Sequence, residues 1–293
     1  MLRLTTTCNS ACDFCTLGDV PALPDRAPAS AVQEMAAARE NGCTEIVFMR
    51  GESTLLPDLP RLAARARALG FQHIQIQTNG RMLGYDAYLG QLVRAGVNFF
   101  EVSLFGPDAE LNDAITRAPG SFDQTTQGLR NIVARGLGLL VTIPVVRRNY
   151  TQLVEMARLL AGIGVPYVQY NTSRPVLLAS GWNTEPLVTL EDAAPRIREA
   201  LREARRLGIE TSTEAVPLCL LDPEDRAGAD VVTDFAAFQV ADLHRRQDSM
   251  AAHRQQSRPK APECEGCRLV AVCPTTWAAY QELYGTSAFR RIE

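Results

Sequence analysis

The chain of 293 residues is 46% hydrophobic and 22% charged, with a formal net charge of −3, as in a globular protein of one large domain or one plus an appendage. No long basic run supports a nucleic-acid footprint, no apolar stretch approaches the roughly 18 residues of a membrane span, and no secretory signal opens the chain. Eight cysteines without an export signal favour metal or redox chemistry over a disulfide framework, and the cytoplasm is the expected compartment.

Along residues 1 to 210, short β-like runs alternate with amphipathic helical patterns. LRLTTT (2–7) and TEIVFM (44–49) read as the first two strands. HIQIQT (73–78), NFFEVSLF (98–105), GLLVTIPVV (138–146) and PYVQYN (166–171) supply four more, each rich in β-branched or aromatic residues. Helices are expected over 31–42, 59–70, 85–95, 122–135, 150–163 and 189–207, the first two ending on Gly42 and Gly70. Six strand–helix units imply a parallel sheet, as an open doubly wound sheet or as a complete or partial barrel. Either arrangement places the chemistry in loops after the strand C-termini. Beyond residue 210 the pattern decays, with a helix expected near 234–245 and a cysteine-dense segment at 262–285 that ends in an aromatic helix.

The first such loop holds CNSACDFC, with Cys8, Cys12 and Cys15 directly after the first strand. Three thiolates fall one short of a tetrahedral structural zinc site. A cubane iron–sulfur cluster held by three thiolates would instead leave one iron open to a small ligand.

Cys-x3-Cys-x2-Cys, with aromatic Phe14 before the third cysteine and at the end of a first strand, resembles the radical S-adenosylmethionine (radical SAM) superfamily. The resemblance runs over the whole chain. It implies that Cys8, Cys12 and Cys15 hold a 4Fe–4S cluster whose open iron binds SAM, which one-electron reduction cleaves to methionine and a 5′-deoxyadenosyl radical. The family's Gly-Gly-Glu-Pro stretch corresponds to RGES here: Gly51 and Glu52 are kept as candidates for the SAM amine, while Arg50 and Ser53 replace the outer residues. Thr78, Asn79 and Ser103 match positions that line the SAM pocket in relatives. Arg50, Arg81, Arg147, Arg148 and Arg174 all fall just beyond expected strand ends. Arginine forks suit carboxylates and phosphates, so one of them, with Arg147 as the candidate, is expected to hold the SAM carboxylate, leaving others for an anionic substrate.

CEGCRLVAVC places Cys264, Cys267 and Cys273 in a Cys-x2-Cys-x5-Cys pattern, and Cys219 lies upstream. Four thiolates close a site for zinc or for 4Fe–4S. The segment resembles a twitch domain, a short relative of the SPASM extension, which implies a second, auxiliary 4Fe–4S cluster. A full SPASM extension has seven cysteines; four are present after residue 210. Cys43 reads as a buried small hydrophobe. No histidine pair among His73, His244 and His253 has metal spacing, and a substrate-acid role is weighed for His244 alone. Trp277, Tyr280 and Tyr284 read as packing residues.

These readings predict a partial (β/α)6 TIM-like barrel over 1–210 and a small cysteine-rich auxiliary-cluster domain over 211–293. With a first strand at the very start, neither a cobalamin domain nor a peptide-recognition domain is expected ahead of it. The expected activity is hydrogen abstraction from an unactivated carbon, in a peptide being matured or, alternatively, in a small anionic metabolite. The partner would be a low-potential electron donor such as flavodoxin or ferredoxin. A non-enzymatic iron–sulfur or zinc protein is the reading from another class.

Overall fold

A computed structural model describes residues 1–17, 23–230, 239–241, 246–247 and 256–293. His244, His253 and most of the helix expected near 234–245 lie outside them. Of that stretch, Val240–Ala241 form a short strand instead.

The described elements are β1 (Leu2–Arg3), α1 (Pro28–Glu40), β2 (Glu45–Met49), α2 (Leu59–Ala68), β3 (His73–Thr78), α3 (Asp86–Ala95), β4 (Phe99–Ser103), α4 (Ala109–Thr116) and α5 (Ser121–Ala134). There follow β5 (Gly138–Val145), α6 (Leu153–Ile163), β6 (Tyr167–Thr172), the hairpin β7 (Val176–Leu178) and β8 (Gly181–Asn183), α7 (Leu190–Arg206) and β9 (Glu210–Glu214). Two short strands, β10 (Val240–Ala241) and β11 (Arg246–Gln247), and a helix α8 (Ala278–Tyr284) complete the chain.

One sheet runs β11-β10-β1-β2-β3-β4-β5-β6-β9, with every pair parallel except β10–β11. From β1 to β6 spatial order follows chain order without reversal. A doubly wound sheet needs a reversal at its switch point, so that alternative is excluded. With right-handed crossovers, the helices between these strands all fall on one face.

The pleat then sorts the side chains. Ile74, Ile76, Phe100, Val102, Val141 and Val168 face the helices and form one buried core with Leu89, Leu129, Met156 and Ile197. The intervening positions, Gln75, Gln77, Glu101, Ser103, Gln169 and Asn171, face the other way and are half-buried and polar. A packed barrel interior would carry branched apolar residues there. This face is mixed, with Val47 and Leu140 in register with Gln75 and Glu101.

The chain departs from expectation where local partners outrank propensity. β1 stops at Arg3 because the Thr5–Thr7 backbone serves loops instead: Arg26 N donates to Leu4 O (2.7 Å) and Glu52 N to Thr7 O (2.7 Å). α4 was hidden by its length of eight residues; Asp108 caps it by accepting from Leu111 N (2.9 Å). β9 reads ETSTE, with no apolar alternation, yet pairs with β6 over five residues. The sheet therefore continues past residue 210.

Candidate active site

Three loops at the C-terminal ends of β1, β2 and β3 meet around one buried carboxylate. Glu52 is 1% exposed. Its Oε1 accepts from Thr78 Oγ1 (2.8 Å), Thr54 Oγ1 (2.5 Å) and Thr54 N (3.2 Å), and its Oε2 accepts from Asn79 N (2.7 Å). Burial pushes this carboxyl above its usual range, and the four donors act against that shift. The donor set shows Glu52 tying β2 to the end of β3, with both oxygens already engaged.

Asn79 carries the tie on to the cysteine loop. Its Nδ2 donates to Asn9 Oδ1 (2.7 Å) and lies 3.8 Å from Cys8 Sγ. Arg81 donates to Asn9 O and, through Nε, to Gln124 Oε1 (2.7 Å). Gly51 completes the junction. It sits at φ 59°, and a Cβ there would stand 2.7 Å from the carbonyl oxygens of both Thr5 and Thr7. Only glycine lets the two backbones approach so closely. Arg50 adopts φ 71° beside it, a left-handed conformation costly for a non-glycine residue.

On its other side the loop is held by α4 and the hairpin. Ala11 N donates to Thr116 O (2.8 Å), and Asn183 Nδ2 donates to Asp13 O (2.8 Å). Phe14 packs on Phe105 with ring centroids 5.4 Å apart. These contacts were not legible in the sequence, since α4 and the hairpin were themselves unforeseen.

Cys8, Cys12 and Cys15 are all unpaired thiols. Cys12 is pushed up to about 12 by burial first, then by the neighbouring Cys15, Cys8 and Asp13. Three thiolates so close together need a positive centre to coexist, which fits a metal cluster. Two backbone amides already point at sulfur, Ser10 N to Cys8 Sγ and Leu17 N to Cys15 Sγ, each at 3.4 Å.

The model of the radical SAM superfamily matches residues 2–160, which contain this junction and the first five strands. The chain belongs to the radical SAM superfamily. Members are enzymes, and membership implies SAM and a 4Fe–4S cluster. The chain is 30% identical to the PqqA peptide cyclase of Xanthomonas euvesicatoria, over 73% of this chain and 58% of that protein. It is 29% identical to a probable GTP 3′,8-cyclase of Methanopyrus kandleri, over 54% of this chain and 52% of that one. The chain thus spans about half the length of the curated relatives it matches. Among solved structures, Streptococcus suis SuiB bound to S-adenosylmethionine superposes with a TM-score of 0.70, covering 100% of this chain and 76% of SuiB at 14% identity, a likeness of fold.

The remaining candidates of this radical SAM chain sort as follows. Ser103 shares a hydrogen bond with Thr142 Oγ1 (3.2 Å) on the polar face of the sheet. Arg147 is exposed and donates from Nε to Glu185 O (3.1 Å). Its neighbour Arg148, like Arg81, reaches the cysteine loop: Arg148 Nε lies 3.6 Å from the Asp13 carboxylate. Arg174 lies over the Trp277 ring at 5.8 Å. His73 pairs with Gln75 Oε1 (3.1 Å), and Cys43 is half-buried against the core.

The second cysteine set is brought together from the 55 residues between Cys219 and Cys273, ends included. Cys219, Cys264, Cys267 and Cys273 line one cavity of about 310 Å³, its open mouth included. Leu218, Leu269, Val270 and Ile292 supply apolar walls. Three amides point at its sulfurs: Leu218 N to Cys273 (3.4 Å), Arg290 N to Cys219 (3.4 Å) and Ile292 N to Cys267 (3.5 Å). Among the described residues no three metal-binding side chains converge on a single ion. Four thiols on one cavity can hold either zinc or an iron–sulfur cluster. Sequence reasoning missed the Arg290 and Ile292 amides because backbone donors carry no residue signature.

The polar face also holds Glu101, unremarked in the sequence. Its Oε2 accepts from Gln75 Nε2 (2.7 Å) and Gln77 Nε2 (2.8 Å), and burial raises its carboxyl from 4.5 to about 7. A carboxyl raised by folding contributes fully below its unfolded value and loses that contribution as pH climbs to about 7. Glu101→Gln is therefore expected to gain about 1–3 kcal/mol over the parent at pH 8 and nothing at pH 4. Urea unfolding of both proteins at the two pH values checks this.

Proposed function

We propose that the protein is a peptide-modifying radical SAM enzyme with an auxiliary 4Fe–4S cluster, built on a sheet that curls as a partial barrel. A radical SAM domain over 1–210 and a twitch-like segment over 211–293 divide the work. The observation that carries this reading is the pairing of a three-thiol loop with a separate cavity ringed by four thiols. Similarity to the PqqA peptide cyclase over 73% of the chain favours a peptide as substrate.

Cys8, Cys12 and Cys15 would hold the cluster that, with SAM, supplies the 5′-deoxyadenosyl radical for hydrogen abstraction. Gly51 keeps the β2 loop within reach of the Thr5–Thr7 backbone, and Glu52, Thr78 and Asn79 fix that loop against the cysteines. Their carboxylate and amide groups are engaged with one another, so SAM would meet mainly backbone groups of this junction, and the family's amine contact falls to the Gly51 region. Phe14 and Phe105 exclude water from one side of the loop. Cys219, Cys264, Cys267 and Cys273 would hold the second cluster, whose full protein ligation suits electron transfer or structural support rather than substrate binding. Flavodoxin or ferredoxin would supply the low-potential electron.

A second reading, chemistry on a small metabolite, is favoured by similarity to the probable GTP 3′,8-cyclase. Measuring 5′-deoxyadenosine release from the reconstituted, reduced protein separates the two. Stimulation by a precursor peptide at least tenfold over background is expected. Stimulation by an anionic metabolite, with the peptide at background, would overturn the peptide reading.

A further inference from the structure

The face of the sheet opposite the helices carries a patch of polar residues, with Val47, Phe99 and Leu140 beside them in register. On β3 and β4 it presents Gln75, Gln77, Glu101 and Ser103, and on β9 it ends in Ser212 and Glu214. Half-buried polar strand residues suit a face that meets a ligand better than one packed as an apolar core.

Two observations describe that ligand. Glu214 on this face is answered by charge: Arg258 Nη2 donates to its Oε1 (2.8 Å) and Asn171 Nδ2 to its Oε2 (3.2 Å). Glu101 is not. Among the described residues its donors are the two neutral amides of Gln75 and Gln77, both on Oε2, and the charge that acts on it is the like charge of Glu214. No donor among the described residues reaches Oε1. Independently, Ser212 is 5% exposed, sits in register with Gln169 on the same face, and its Oγ has no hydrogen-bond partner among the described residues. A buried hydroxyl left unpaired is costly unless something else completes it.

We propose that this face receives a cationic group of the substrate, an ammonium or guanidinium, on the free Oε1 of Glu101. The Gln75 and Gln77 amides hold the carboxylate by one oxygen so that the other points at the incoming cation. Charge-assisted pairing with an ammonium supplies a counter-charge that none of the described residues provides. The inference rests on the proposed peptide activity and narrows its substrate to one with a lysyl, arginyl or free amino group near the reacting carbon. The arginines at the strand ends do not oppose this, since Arg81 and Arg147 are engaged by protein carbonyls and Arg148 by Asp13.

The test is equilibrium binding to the reconstituted, SAM-loaded, unreduced protein, with N-acetyl-lysine amide and its neutral isostere N-acetyl-norleucine amide as probes. The lysine probe is expected to bind at least about tenfold tighter. Glu101→Gln should remove that preference while leaving the norleucine probe unchanged. Equal binding of the two probes to the parent protein, or a preference that survives Glu101→Gln, overturns the proposal. Should Glu101→Gln fail to fold, Glu101→Asp decides: the shorter side chain must weaken the lysine probe selectively, and an unchanged preference rejects the idea. SAM cleavage by the parent protein on reduction is scored separately. Cleavage without cation preference sinks this inference alone, whereas no cleavage sinks the proposed function whatever the probes do.

Discussion

Cys12→Ala is expected to abolish reductive SAM cleavage, to below one part in a thousand of the parent rate, while Cys267→Ala keeps measurable cleavage without substrate. The asymmetry follows from ligand number. A cluster held by three thiolates has no spare ligand, and Cys12 is half-buried, packed with Phe14 against Phe105, Ile115 and Val146. Nothing nearby can replace it. Cys267 belongs to a set of four, and the residues lining its cavity fall within 217–219 and 264–292, remote in sequence from the first loop. Anaerobic reconstitution of the parent should bind about eight irons per chain, and each variant about four. Full turnover in both variants would reject the two-cluster model. A zinc protein would show neither the iron nor the cleavage.

The second large effect is expected at Arg258. Its guanidinium is 2% exposed and donates to Asp230 (2.6 Å) and Glu214 (2.8 Å), with the Trp277 ring 4.1 Å from its carbon. Trp277 in turn donates from Nε1 to Thr172 O (3.0 Å) at the end of β6. Arg258→Ala leaves two carboxylates close together, one of them buried, and removes the surface on which the indole stacks. Losing one partner from a buried ion group costs about 3–5 kcal/mol. Arg258→Lys keeps the charge but not the two-pronged donation or the stacking, so an intermediate loss is expected. Chemical denaturation of the three proteins ranks them. Because Thr275 Oγ1 donates to Arg258 O (3.0 Å) and Lys260 Nζ to Cys273 O, the alanine variant should also bind fewer irons at the second site. A variant as stable as the parent would show that the ion group does not anchor the cysteine segment to the sheet.

Apolar periodicity made most of the frame legible. β3 falls on 73–78 as expected, and α5, α6 and α7 lie within a few residues of their predicted spans. The elements that escaped are those whose stability comes from neighbours. β9 is polar because it lies beside β6 and α7, and the β7–β8 hairpin is too short to carry a pattern. In the site, the residue types were readable but their division of labour was not. Glu52 looked like a free anion and proves to be a hub for Thr54, Thr78 and Asn79. Of the strand-end arginines, Arg81 and Arg148 reach the cysteine loop, a placement the sequence did not single out.

By itself the sequence determined the cysteine spacings, the strand–helix alternation and the membership they signal, because thiol number and apolar period are local properties of the chain. The tertiary structure alone decided that the strands run in unreversed order, that Cys219 joins three cysteines lying 45 or more residues downstream, and that Glu101 is met by Gln75 and Gln77 but, among the described residues, by no cation. Those are facts about which distant groups meet. Contact across long stretches of chain is set by packing and mutual satisfaction of charge and hydrogen bonds, and no short window of sequence records it.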